Sequence, residues 1–182
     1  LLDGTLRLHK DQQGIGQLSG LGTFGETAVV PEDSVVLVRN DAPLDTLGVV
    51  GCAVSAGVGA VTNVAKVQAG STIVVIGTGG VGLSIIQGAV LSGANSIIGV
   101  DIRDTKLDHA IKCGATHRVN ATKQDVVAQV RDITKGEMAD YAFEAIGSAE
   151  AVNLGFTVTR RGGVIVAVGD PPAGAQLTID PN

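Results

Sequence analysis

A glycine-rich turn after residue 76 carries the most specific chemical pattern in this sequence. Gly77, Gly79 and Gly82 give the spacing G-x-G-x-x-G directly after an apolar run and before a segment with helical spacing. In that setting the first glycine permits a tight turn, the second lets a diphosphate approach the backbone, and the third lets the helix pack closely on the strand. Free amides near Gly80 and Val81 and the positive end of the helix dipole would face the diphosphate. The turn therefore predicts a dinucleotide site.

An acidic residue stands where such a site needs one. Asp101 closes the next apolar run, at the spacing of about 20 residues that the fingerprint requires for an acid on the ribose hydroxyls. A 2′-phosphate at that place would meet carboxylate repulsion, so Asp101 favours NAD over NADP. Arg103 leaves the other choice open, because its guanidinium could hold a 2′-phosphate if Asp101 turned away.

Two further turns follow later apolar runs. Ala145–Gly147 and Val168–Pro172 are predicted cofactor contacts, because ligands of a doubly wound sheet bind at the carboxyl ends of its strands. A plainer interpretation also stands: the glycines and the acid would then be only tight turns in a nucleotide-free α/β domain.

Other catalytic patterns are missing from the sequence. It contains no GxxxxGK[ST], GxSxG or HExxH motif, which disfavours phosphoryl transfer, esterase and zincin chemistry. His9, His109 and His117 lack metal-ligand spacing and are predicted to be ordinary surface or turn residues. Cys113 is most simply a small apolar residue.

The elements that must position these residues alternate regularly from residue 71 onward. Segments with helical spacing separate short β-branched runs, and Asp104, Gly114 and Ser148 are candidate helix-end residues. The runs are Thr72–Ile76, Ser96–Asp101, His117–Asn120, Asp140–Glu144 and Val164–Val168. Repeated strand–helix–strand units predict an α/β fold, a doubly wound parallel sheet of the Rossmann type with five of its six strands present.

Residues 1–45 differ from the rest of the chain in composition and pattern. Two β-like runs, Glu26–Val30 and Ser34–Val38, flank Pro31, and polar stretches punctuated by glycine precede them. Such a segment predicts the remnant of another, mostly β domain. The Ala/Gly/Val stretch Leu47–Val67 is predicted to be a mainly helical link.

Composition excludes several classes of protein. The chain has 26 glycines among 182 residues, 45% apolar and only 17% charged residues, which argues against disorder. A net charge of −5 without a basic cluster predicts no nucleic-acid partner. The uncharged runs Thr46–Ala65 and Ser71–Val100 are long enough for a membrane span, but Ser71–Val100 is too rich in glycine and polar residues to predict one. Two cysteines without CxxC spacing favour a reduced, cytoplasmic setting.

With these residues in hand, the sequence resembles the zinc-dependent alcohol dehydrogenases of the medium-chain dehydrogenase/reductase family. The likeness extends over nearly the whole chain, as several matched blocks in order. They are Gly22–Phe24 followed by Val29–Val36, then Leu47–Ala60, Gly77–Leu83, Ile98–Asp101, Cys113–Thr116, Asp140–Gly147 and Gly169–Pro172.

The resemblance implies roles for individual residues. Cys52 would be the last of three protein ligands to a catalytic zinc, which polarises the substrate oxygen. The remaining positions would bind the coenzyme. Thr78 and Gly79–Val81 would hold the diphosphate, Asp101, Arg103 and Lys106 the adenosine ribose, and Ile146, Gly147, Val168 and Gly169 the nicotinamide half.

The resemblance also implies what the chain lacks. The family's other zinc ligands, a Cys and a His, and its proton-relay hydroxyl would lie upstream of Leu1, and the sixth strand would follow Asn182. Residues 1–53 would then be the remnant of a GroES-like catalytic domain with the start of the linker helix, and residues 54–182 a truncated NAD-binding Rossmann domain. Ala56 replaces a Thr that many members carry beside the nicotinamide.

The predicted function is accordingly the coenzyme-binding part of an NAD-dependent zinc alcohol dehydrogenase acting on an alcohol or an aldehyde adduct. The chain alone would bind NAD(H) without turnover, and the whole protein would be a homodimer or tetramer. Two alternatives stay open: a zinc-free, NADPH-dependent quinone or enoyl reductase, and a dinucleotide-binding module without chemistry.

Overall fold

The computed structural model describes residues 5–6, 8–16 and 26–177. The chain divides into two compact units, Leu1–Pro43 and Leu44–Asn182. The block Gly22–Phe24 of the family resemblance lies outside the described residues. The predicted domain boundary after residue 53 stays a prediction.

The first unit contains a small antiparallel sheet of β1 (Leu8–Lys10) and β2 (Gln13–Ile15). The prediction that Glu26–Val30 and Ser34–Val38 form strands is wrong. A short 3-10 turn, Glu32–Ser34, takes in the first residue of the second run, and neither run pairs with a strand in the described part of the chain. Val29, Val36 and Leu37 are almost fully exposed, so no sheet neighbour covers the side chains that suggested a strand.

The second unit is built around five parallel strands. These are β3 (Thr72–Ile76), β4 (Ser96–Asp101), β5 (His117–Asn120), β6 (Ala139–Glu144) and β7 (Thr159–Ala167), in the order β5-β4-β3-β6-β7. The predicted five-stranded Rossmann sheet is therefore confirmed. β7 begins earlier than predicted because Thr159–Gly163, a polar stretch with positive φ at Gly162, joins β6 through an irregular register.

Apolar residues fill both faces of this sheet. Along β3, Ile73 and Val75 join one core cluster, whereas Val74 and Ile76 join the other. Helices close the two faces: α3 (Gly80–Leu91), α4 (Asp104–Lys112), α5 (Val126–Ile133) and α6 (Ala149–Val158). The alternation follows from the two-residue period of a strand and produces the doubly wound arrangement.

Two of the three residues predicted to lie at helix ends have the predicted role. Ser148 caps α6 by accepting the Ala151 amide at 3.1 Å, and Gly114 has a φ of 111° just after α4. The prediction that Asp104 caps α4 is wrong, because Arg103 is the N-cap and Asp104 is the first helical residue. The Asp104 carboxylate instead accepts a hydrogen bond from Asn120 Nδ2 at 2.6 Å and forms an ion pair with Lys123.

The predicted helical link is confirmed. It consists of α1 (Leu44–Leu47), a π-helical turn Val50–Val54, α2 (Ser55–Gly59) and a second π-helical turn Ala60–Ala65. It ends where Lys66 adopts a left-handed conformation, with a φ of 51°. None of the helices in the described ranges combines the length and apolar character that a bilayer crossing requires.

Candidate functional site

A cavity of about 490 Å³ opens at the carboxyl ends of β3, β4 and β6. β3 lies between β4 and β6, so the chain's direction of winding reverses at this point, which is where open α/β sheets bind ligands. Its lining includes Gly77, Gly79, Asp101, Lys106 and Ile146. Residues predicted from separate parts of the sequence thus line one cavity.

The glycine turn joins β3 to α3 as its spacing predicts. Gly77 has a φ of 91°, and its amide donates to the Val100 carbonyl at 2.8 Å. A Cβ on Gly82 would lie 1.9 Å from the Gly77 carbonyl oxygen, so only glycine lets the helix start this close to the strand. A Cβ on Gly79 would meet nothing within 4 Å.

The N-terminus of α3 is open toward ligands. Gly79 is its N-cap and offers no side-chain acceptor to the first helical amides. Those amides, from Gly80, Val81 and Gly82, have no intrahelical partner in an α-helix, and the helix dipole adds a partial positive charge. The arrangement fits a diphosphate.

Asp101 is buried and held at both carboxylate oxygens. Its Oδ2 accepts the Thr78 amide at 2.9 Å and the Thr78 hydroxyl at 3.1 Å. Its Oδ1 accepts the amides of Ile102 at 2.8 Å and Arg103 at 3.1 Å, and Lys106 Nζ lies 3.8 Å from Oδ2. Burial opposes ionisation, yet these hydrogen bonds and the Lys106 charge hold the pKa of Asp101 below its usual value. The carboxylate is therefore a fixed negative charge beside the cavity.

Glu144 is the buried residue that sequence reasoning missed. It is 1% exposed at the end of β6, and its Oε1 accepts the amides of Ile146 and Gly147 at 2.6 Å each. Its backbone carbonyl accepts the amides of Val168 and Gly169 at 2.8 and 3.1 Å. One residue thus holds both turns that were predicted to contact the coenzyme. The signal available in the sequence was an acid at the end of a strand, directly after the apolar pair Ala142 and Phe143.

The two turns lie against each other. A Cβ on Gly169 would fall 2.1 Å from the Gly147 amide nitrogen, and a Cβ on Gly147 would fall 2.5 Å from the Asp170 carbonyl oxygen. Within the described residues, Glu144 Oε2 is buried without a hydrogen-bond partner. Gly147 directly follows Ile146, which lines the cavity, and Gly169 lies against Gly147.

The residues described do not form a zinc site. Cys52 lies exposed on the π-helical turn Val50–Val54, and the described ranges contain no cluster of three His, Cys, Asp or Glu side chains that could hold a metal. His9, His109 and His117 are exposed, as predicted. Cys113 packs against the core, which also agrees with its predicted apolar role.

The known proteins to which this chain is similar, described next, are all dehydrogenases. The family model described as zinc-binding dehydrogenase matches residues 80–181. An alcohol dehydrogenase class-3 from Cereibacter sphaeroides is 40% identical over 189 aligned positions, which cover 100% of this chain and 48% of the relative. An S-(hydroxymethyl)glutathione dehydrogenase from Paracoccus denitrificans is also 40% identical, with 98% of this chain and 50% of the relative covered.

A solved structure extends the similarity to three dimensions. The crystal structure of benzyl alcohol dehydrogenase from Acinetobacter calcoaceticus superposes with a TM-score of 0.78 at 39% identity, covering 81% of this chain and 40% of that one. The chain therefore spans about half the length of the curated relatives it matches.

Proposed function

This chain belongs to the zinc-dependent alcohol dehydrogenases of the medium-chain dehydrogenase/reductase family, and on that premise we propose that it is the coenzyme-binding portion of an NAD-dependent member. The observation that carries the proposal is the Asp101 carboxylate, fixed by its hydrogen bonds beside the cavity at the glycine turn. The chemistry that bound NAD would supply is the acceptance of a hydride at the nicotinamide ring.

Each part of the carboxyl edge has a separate task in binding. The amides of Gly80 and Val81 would bind the diphosphate, which Gly79 admits to the backbone because no side chain stands in the way. Asp101 would accept hydrogen bonds from the adenosine ribose, and Lys106, whose Nζ lies 3.8 Å from Asp101 Oδ2, would bind the same sugar. The turns held by Glu144 would flank the nicotinamide half.

The electrostatics support NAD over NADP. Asp101 keeps its charge because its pKa is lowered, and a 2′-phosphate would be placed against that charge. Arg103 contributes its backbone amide to Asp101. This contact supports an arrangement in which the segment around Arg103 holds the acid in place.

The activity of the whole protein is part of the same proposal. An alcohol or an aldehyde adduct would be the substrate, and Cys52 would be one of the ligands to a catalytic zinc in the complete protein. This chain alone would bind NAD(H) without turnover, because its described residues offer a single candidate zinc thiolate. We further propose a cytoplasmic homodimer or tetramer.

Titration of the purified chain with NADH, followed by ligand fluorescence, tests the proposal. Wild type is expected to bind saturably, and Asp101→Asn to bind at least about tenfold more weakly, because a hydrogen bond to a charged group contributes roughly 1.5–3 kcal/mol. Asp108→Asn is the matched control, since Asp108 is a half-exposed acid on α4 that pairs with Arg118. Absence of saturable binding, or equal binding by wild type and Asp101→Asn, would rule the proposal out.

A further inference from the structure

Thr78 occupies an unusual place for a residue of the glycine turn. Its side chain is buried, with a relative exposure of 1%. A Cβ on Gly99 would lie 3.3 Å from the Thr78 methyl carbon, so the glycine in β4 leaves the space that the threonine fills. The side chain therefore points back into the protein, away from the space that a coenzyme would occupy, and its orientation is fixed by packing.

The Thr78 hydroxyl has one acidic partner, Asp101. It donates to Oδ2 at 3.1 Å, the same oxygen that the Thr78 amide reaches at 2.9 Å. The other two donors to the carboxylate are the amides of Ile102 and Arg103. Three of the four bonds thus come from the backbone and follow from the fold. The hydroxyl is the one bond that a change of residue 78 removes without altering the backbone.

We propose that Thr78 is a positioning residue for coenzyme selectivity, and that its hydroxyl locks the Asp101 carboxylate in the orientation that accepts an unphosphorylated adenosine ribose and repels a 2′-phosphate. This inference rests on the proposed NAD(H) site. Without the hydroxyl, Oδ2 keeps one hydrogen-bond donor, the Thr78 amide, beside the Lys106 charge at 3.8 Å, so the carboxylate is held less firmly in the orientation that faces the ribose. The exposed Arg103 side chain, two residues along, is then available to a phosphate at that position.

The test compares dissociation constants for NADH and NADPH, both measured by ligand fluorescence on the whole chain. Thr78→Val keeps the shape of the side chain but removes the hydroxyl, and Thr78→Ser keeps the hydroxyl. In Thr78→Val we expect the ratio of the NADPH to the NADH dissociation constant to fall about tenfold, which corresponds to one hydrogen bond to a charged group. In Thr78→Ser we expect a ratio within about threefold of wild type, set by the retained donor.

A purely structural role for Thr78 predicts a different result. Loosening of the turn would weaken NADH and NADPH binding by the same factor, and an unchanged ratio in Thr78→Val would overturn the inference. Thr78→Ala, which cannot overpack the site, provides a second variant if Thr78→Val does not fold, and its ratio must fall as well. If wild type binds NADH but the ratio of the two dissociation constants is unchanged in both Thr78→Val and Thr78→Ala, the role of Thr78 is ruled out and the proposed NAD(H) site is not. If wild type binds neither nucleotide, or prefers NADPH, the proposed function fails with it.

Discussion

Two buried carboxylates at the carboxyl edge of the sheet have different tasks. Asp101 lines the cavity, and its hydrogen bonds fix a negative charge where a ligand can meet it. Glu144 faces the backbone, and its Oε1 joins the amides of Ile146 and Gly147. The first residue therefore concerns binding directly, whereas the second concerns the shape of the turns that flank the cavity.

Substitution of Glu144 should separate these effects. Glu144→Ala removes the acceptor of two short amide hydrogen bonds and is expected to lower the free energy of unfolding by roughly 2–4 kcal/mol. Glu144→Gln retains a carbonyl oxygen facing both amides, so its loss should be about 1 kcal/mol. Urea unfolding of both variants checks the order. Equal losses would mean that the bonds to Oε1 do not hold the turns.

How far single residues could be predicted depended on how local their partners are. The glycine turn and Asp101 follow a fixed spacing within one strand–helix–strand unit, so the sequence predicted their places. Asp104 was wrongly predicted as a cap because its partners, Asn120 and Lys123, come from the end of the next strand and the turn after it. Glu144 was missed because its acceptor role depends on how tightly the following turn folds back.

At the scale of elements, the connection from β3 to α3 determines what can approach the cavity. A Cβ on Gly82 would overlap the Gly77 carbonyl oxygen, whereas a Cβ on Gly79 would meet open space. The two glycines therefore serve the same turn for different reasons, one for packing and one for ligand access.

Alanine at each position tests that difference. Gly82→Ala forces α3 away from the turn and is expected to cost about 1–3 kcal/mol of stability, as overpacked sites do. Gly79→Ala should change stability by less than about 1 kcal/mol, yet weaken NADH binding at least about tenfold, because its methyl group would occupy the diphosphate space. Thermal unfolding and NADH titration of both variants provide the measurements. A Gly79→Ala protein that binds NADH like wild type would contradict this assignment of the diphosphate site.

Elements were predictable where apolar spacing and burial coincide. β3 and β4 are buried on both faces, so their β-branched runs give both strands with the predicted bounds. The start of β7 was missed because Arg160 and Arg161 are exposed and the register with β6 is irregular there. Ser34–Val38 shows the converse: a β-branched run forms no strand when the described residues around it supply no partner.

At the scale of the whole molecule, the order β5-β4-β3-β6-β7 brings residues far apart in sequence to one edge. Asp101 is the last residue of β4, and Ile146 follows β6, yet both line the cavity beside Gly77. The fold class was predictable from alternation of strands and helices, and strand order followed only by analogy with other doubly wound sheets. The shape of the cavity needed the structure.

Zinc binding is also a property of the whole molecule, because the ligands of one metal ion can come from distant parts of the chain. Because Cys52 has no cluster of further ligands in the described residues, we expect wild type and Cys52→Ser to compete equally weakly for Zn²⁺ with a chromophoric chelator. NADH binding should also be unaffected by the chelator. A stoichiometric, tight zinc site that Cys52→Ser abolishes would contradict this expectation and show that the chain supplies more ligands than its described part contains.

Amide NMR shifts during an NADH titration test whether a dinucleotide binds at the carboxyl edge of the sheet. Binding there should produce saturable shifts for Gly79, Gly80, Gly147 and Gly169, with little change at Gly114 and Gly136. Those two controls follow the ends of α4 and α5, at the opposite edge of the sheet. Shifts as large at Gly114 and Gly136, or none at the four carboxyl-edge glycines, would contradict binding at that edge.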